Sequence, residues 1–178
     1  MSAFVSLPTP MTDRACLLAA LADLGFGSSK VEVHDQAQAL HGYEGDAREQ
    51  QAHIIIRRQH VGSASNDLGF EATPVGYRAH ISDFDSAQFS RAWLAQLRDR
   101  YQHHAEARDG QLRAALVAAE AEVRRQAELE ARRREEARLR LIESQRQLIQ
   151  ETARKLGYRV EESRKGEKLQ LVLVKRTY

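Results

Sequence analysis

The chain has 178 residues, with 27 Lys and Arg against 25 Asp and Glu for a net charge of +2, and with 42% hydrophobic but only 6% aromatic residues. This length allows one ordinary domain plus an excursion, and the near balance of charge excludes a dedicated nucleic-acid binder of the strongly basic kind. The start MSAFVSLPTP carries no basic segment followed by an apolar run, and no stretch approaches the roughly 20 apolar residues of a membrane span, so a cytoplasmic protein is expected.

FVSLP, residues 4 to 8, alternates apolar and small residues before Pro8 and Pro10 and reads as a first strand ending in a turn. Thr12 or Asp13 caps a helix in which Leu17, Leu21 and Leu24 recur at helical spacing and which Gly25 closes. The lone cysteine, Cys16, lies in this helix without a disulfide partner, as suits a reducing compartment, and reads as a small core residue because no base stands beside it. VEVHDQA (31 to 37), AHIIIRRQ (52 to 59), LGFEA (68 to 72) and VGYRAHISDF (75 to 84) are β-branched or alternating segments that predict strands. The short gap at Thr73-Pro74 implies an antiparallel hairpin between the last two. From Asp85 or Ser86 the period becomes helical, with Phe89, Trp93, Leu94, Leu97 and Tyr101 on one face. After Gly157, YRVEES and KLQLVLVK form a terminal β-hairpin. This order predicts an α+β fold, an antiparallel sheet covered by helices, with residues 1–104 and 156–178 forming the core domain.

Residues 105–155 form the excursion. Its only internal punctuation is Asp109-Gly110, and in its middle, AELEARRREEARLRLIESQRQL, the apolar seam fades to Ala127, Leu129, Ala131 and Ala137 while charge dominates. Leu112, Leu116, Ala119 and Val123 keep a 4-3-4 seam, Leu141, Ile142, Leu148 and Ile149 resume one, and between them Glu128–Arg132, Glu130–Arg134 and Glu136–Arg140 stand at i,i+4. A long projecting helical arm of coiled-coil type is the expected form. A helical hairpin, a break at Gly110, and an unbroken helix pairing with a second copy, with or without exchange of the terminal hairpin, remain open alternatives. The run Arg132, Arg133 and Arg134 is interleaved with glutamates and reads as a solvated face. Across 111–150 nine arginines meet seven glutamates with no aromatic to stack on bases, which points away from nucleic acid.

Outside residues 105 to 150 the chain resembles the hypothetical chloroplast reading frame 35 family, also known as domain of unknown function 1257. The matching segments are the opening MSAFVSLPTPMTDRACLLAALADLGF, Gly42-Tyr43, AHIIIRR, DLGF at 67 to 70, GYRAHISDF, RYQHH around Tyr101 to His104, KLGY and LQLVLVKR. Members pass from the Tyr-x-x-His helix end to the Gly-Tyr strand within a few turns, whereas here roughly 45 extra residues intervene, an insertion of the kind that forms a projection. The resemblance carries no established reaction. It implies an adaptor role beside a MoxR-type AAA ATPase or a von Willebrand factor A domain protein.

No catalytic, cofactor or metal set is expected. His103 and His104 are adjacent on a helix and point about 100° apart, and the other five histidines are too scattered for a ligand motif. Tyr101 and His104 share a helix face at i,i+3, and Asp67, with Asp83, is placed to approach them across the sheet. This neighbourhood and Arg132, Arg133 and Arg134 are the candidate interaction surfaces. A core-edge tyrosine with a satisfied hydroxyl is the simpler account of Tyr101. The functional expectation is a non-enzymatic adaptor that binds a protein partner through its core, with the arm used for self-association or a second contact. A metal-binding or catalytic accessory protein, or nonspecific nucleic-acid binding through the arm, is the alternative.

Overall fold

The computed structural model describes residues 3–62, 64–165 and 168–175. In chain order the elements are β1 (Phe4–Pro8), α1 (Arg14–Asp23), β2 (Val31–His41), β3 (Ala47–Ile56), the single turn α2 (Arg58–Val61), β4 (Leu68–Thr73), β5 (Gly76–Ser82), a 3-10 turn (Phe84–Ala87), α3 (Arg91–Lys155), β6 (Tyr158–Lys165) and β7 (Lys168–Lys175). The chain divides into two units, residues 1–114 and 115–178.

The first unit is an α+β layer built on a five-stranded antiparallel sheet of order β1-β5-β4-β3-β2. Strand alternation puts Ile54, Ile56, Leu68, Phe70, Ala79 and Ile81 on one face, where they bury against Leu17, Ala20 and Leu21 of α1, Phe89 ahead of α3, and Leu97 and Tyr101 of α3. Phe89 and Trp93 meet edge to face at 4.8 Å, with Phe26 6.1 Å from Phe89. The Asp13 carboxylate caps α1 by accepting the Cys16 N–H at 2.8 Å, and Gly25 ends it with φ +92°, a backbone that favours glycine.

The opposite face has a smaller core of Leu40, Ala52 and Ile55 with Phe4 against it. It exists because β2 and β3 run on further than their apolar segments predict, to His41 and back from Ala47, with a register shift between Val33 and Gln38 that folds the hairpin end over the sheet. Leu40 then lies on Gly69, where an added Cβ would stand 2.7 Å from Ala52 Cβ and 2.8 Å from Leu40 Cδ2. The hairpin end is polar, which is why periodicity does not reveal it.

The second helical segment begins later than Asp85. The Asp85 carboxylate turns inward to Ser65 and Asn66, and α3 starts behind Ser90 instead, whose carbonyl accepts the Leu94 N–H at 3.0 Å. From Arg91, α3 runs 65 residues without interruption, so neither a break at Gly110 nor a helical hairpin is formed. One exposed glycine costs only about 1 kcal/mol in a helix, too little to stop a segment rich in Ala, Glu, Arg and Leu.

The second unit contains most of α3 and the hairpin β6–β7. The strands pair with each other from Tyr158↔Lys175 to Lys165↔Lys168 as a sheet of their own. Residues 1–104 and 156–178, expected to form one core domain, fall in different units, the hairpin in the second. The hairpin is held by the end of its own helix, where Arg146 makes 2.6 Å contacts with both Glu162 carboxylate oxygens and Gln150 donates to Glu162 at 3.0 Å.

Candidate functional site

Within the first unit, Asp67 precedes β4 with its side chain 1% exposed. Its Oδ2 accepts the His41 N–H at 2.9 Å and an Arg57 guanidinium N–H at 2.8 Å, and its Oδ1 accepts the Arg58 N–H at 2.8 Å. Arg57 also donates to Glu32 at 2.8 Å and to His41 Nδ1 at 3.0 Å. The Arg57 hydrogen bond holds the Glu32 carboxyl below its usual range, and Glu32 and Asp67 in turn raise Arg57. Next to it Asn66 accepts the Tyr43 N–H at 2.8 Å and donates to Ser82 at 2.9 Å, while Ser65 donates to Asp85 at 2.6 Å. Arg57, Asp67 and their neighbours thus lock the β2–β3 hairpin end to the start of β4. Such a network gives rigidity, and it engages both oxygens of the buried Asp67 carboxylate with its own fold.

Tyr101 and His104 lie elsewhere, on the face of α3 that meets α1. The Tyr101 hydroxyl accepts the N–H groups of Thr12 at 3.0 Å and Asp13 at 2.9 Å, supplying acceptors at the start of α1. His104 Nε2 is 2.8 Å from Asp23 Oδ2 at the end of the same helix, and Arg108 pairs with Asp13. The Cys16 N–H, chiefly, with the Arg108 charge lowers the Asp13 carboxyl. The proposed meeting of Asp67 with Tyr101 and His104 does not occur: Asp67 binds Arg57, Arg58 and His41, whereas Tyr101 and His104 bind residues 12, 13 and 23. Burial pushes the Cys16 thiol up, so it is held as the thiol.

One polar line was not foreseen. Ser6 Oγ is 2.8 Å from His80 Nδ1, and His80 Nε2 is 3.2 Å from Glu71 Oε2, so a serine, a histidine and a carboxylate stand in series across β1, β5 and β4. Burial lowers the His80 pKa, against the opposing pull of Glu71. Ser6 and His80 are cross-strand partners and His80 is 4% exposed, so the sheet itself accounts for the line as a buried imidazole with both nitrogens satisfied. Strand alternation and the register of β1 on β5 would have been the signal.

Family models, curated proteins and solved structures give no match to this chain. Among the described residues no three His, Cys, Asp or Glu side chains converge as a potential metal cage, and no helix is long and apolar enough to cross a membrane.

What the first unit satisfies internally, α3 leaves open. Every residue from 106 to 145 is exposed, Arg132, Arg133 and Arg134 included. Arg134 pairs with Glu130 at 3.4 Å, and Arg125 with Glu122 and Arg138 with Glu135 add i,i+3 contacts at 2.8 and 3.6 Å. All of these pairs stand in solvent and contribute little each. Along the same stretch Leu112, Leu116, Val123, Leu141 and Leu148 are more than half exposed. A groove of about 250 Å³ beside β1 in the first unit is lined by Leu7, Pro8, Met11 and Leu94 with Arg91 and Arg98, and a hollow of about 370 Å³ lies between α1 and β2, lined by Leu18, Phe26, Val31 and Val33.

Proposed function

We propose that this chain is a non-enzymatic adaptor that binds a partner protein through its α+β unit and uses the long helix for self-association or a second contact. The observation that carries the reading is the forty-residue run of α3, 106 to 145, exposed throughout while presenting leucines at helical spacing. Leucines repeated along one face of an exposed helix are the pattern that a second helix covers. The polar side chains of the first unit point the same way, because Asp67, Tyr101, Asn66 and Asp85 are engaged with their own fold.

The family resemblance supplies the partner to try, a MoxR-type AAA ATPase or a von Willebrand factor A domain protein. The groove between β1 and α3, apolar with Arg91 and Arg98 in its lining, suits a partner segment carrying leucine-like and acidic side chains. Titration calorimetry of the full chain with each purified partner tests the reading, with saturable binding expected that Leu94→Asp abolishes. Lack of binding to either, together with stoichiometric zinc or iron in the purified protein by elemental analysis, would replace it with a metal-dependent accessory role.

A further inference from the structure

Taking α3 as an association element, as proposed above, we infer that it pairs with a second copy of this chain, antiparallel, about a twofold axis beside residue 132. Within the second unit, positions 116, 119, 123, 127, 130, 134, 137, 141, 145 and 148 follow one another at spacings of three or four and, at about 100° per residue, share one face of the helix. The series reads the same from either end, each position having its mirror equally far beyond residue 132. Laid antiparallel in this register, Leu116 of one copy meets the partner's Leu148, Val123 meets the partner's Leu141, and Ala127 meets the partner's Ala137. The four large residues are 58–67% exposed in the single chain. Of these three apolar pairs the small one lies nearest the axis.

The charges on this face agree. Its only two, Glu130 and Arg134, are mirror positions, so each meets its opposite on the partner and the contact is made twice. In one chain they reach only each other, at 3.4 Å in solvent. The halves on either side are also complementary: residues 116–131 hold four glutamates against two arginines, and residues 133–148 hold five arginines against three glutamates. A parallel pair would stack like half on like half, with Glu130 on Glu130 and Arg134 on Arg134, so the pattern specifies direction as well as register.

The second unit also shows where the partner's leucine goes. Leu148, Ile149, Thr152, Ala153, Leu156 and Leu173 line an apolar hollow of about 330 Å³ where the hairpin meets the helix. The partner's Leu116 arrives at Leu148, on the rim of this hollow, once on each side of the twofold axis. A symmetric dimer repeats every contact in this way.

Light scattering on the full chain tests the orientation. The natural chain is expected to be a dimer, and Glu130→Arg alone or Arg134→Glu alone, each placing like charges together across the axis, to weaken dimerisation by roughly tenfold or more. An equimolar mixture of the two variants restores opposite charges at both contacts and is expected to recover the dimer. Cysteines give an independent readout: Ala127→Cys with Ala137→Cys in one chain is expected to form a disulfide dimer, and Ala127→Cys alone is not. Within one chain those positions are about 15 Å apart, beyond disulfide reach, and the native Cys16 is buried. A monomeric natural chain, a mixture that stays dissociated, or cross-linking of Ala127→Cys alone would overturn the proposal. Partner binding by monomeric Glu130→Arg separates the outcomes, since the adaptor reading requires it and the dimer does not.

Discussion

The first unit and the long helix use the same kinds of residue in opposite ways. In the first, Asp67, Arg57, Asn66, Asp85 and Tyr101 bridge elements far apart in sequence and are buried or half-buried. In the second, arginines and glutamates pair with neighbours three or four residues away and stay in water. A polar side chain that joins distant elements fixes a fold, whereas one that joins its own helical turn only keeps the helix soluble. The difference is one of engagement: the first unit ties its polar side chains to its own fold, and α3 leaves Leu112, Leu116, Val123 and Leu141 exposed.

The comparison breaks most visibly at Asp67. Asp67→Ala should destabilise the first unit by about 3 kcal/mol, because it strips a buried acceptor from Arg57 and from two backbone N–H groups. Urea unfolding followed by the fluorescence of Trp93, the only tryptophan, reads this unit. Arg132→Ala, on the exposed helix, should leave the same transition within about 0.5 kcal/mol, and equal effects of the two would erase the distinction.

Gly69→Ala comes next, at about 1–3 kcal/mol, since the new methyl would stand 2.7 Å from Ala52 Cβ under the folded-over hairpin. If its midpoint in urea matches that of the natural chain, the hairpin does not press on Gly69. Tyr101→Phe removes the acceptor of the Thr12 and Asp13 N–H groups and should cost about 1 kcal/mol, measured by the same transition. Unchanged stability would mean that water serves the start of α1 equally well.

The smallest effect has the opposite sign. Gly110→Ala, at a helical position where an added Cβ meets nothing within 4 Å, should stabilise by somewhat under about 1 kcal/mol. Far-UV circular dichroism during heating reads the helix, and a loss of helicity would show that Gly110 marks a bend the helix needs.

Much of this was legible in the residues. Apolar alternation located β4 and β5, the Thr73-Pro74 gap their hairpin, and the helical spacing of Trp93, Leu97 and Tyr101 the face of α3 that packs on the sheet. Asp13 announced the cap it makes. The polar sites were not legible in the same way. Nothing local ties Asp67 to Arg57 and His41 rather than to Tyr101, and Asp85, in a good place to start a helix, turns to Ser65 twenty residues back. The terminal hairpin was visible as a hairpin, but which sheet it joins is a matter of which edge it reaches.

By itself, then, the sequence determined what depends on near neighbours: the apolar segments of the strands, the start of α1, the helical character of the long segment, and the mirrored apolar and charged series along it, while a break at Gly110 stayed open. Periodicity, propensity and i,i+4 pairing act within a few residues and need no knowledge of the rest of the chain. The tertiary structure decided the bend of β2–β3 over Gly69, the Arg57–Asp67 lock, and the acceptance of the α1 start by Tyr101. Those features join residues far apart in the chain, and only close packing and the need to satisfy every buried polar group select one such partner among many.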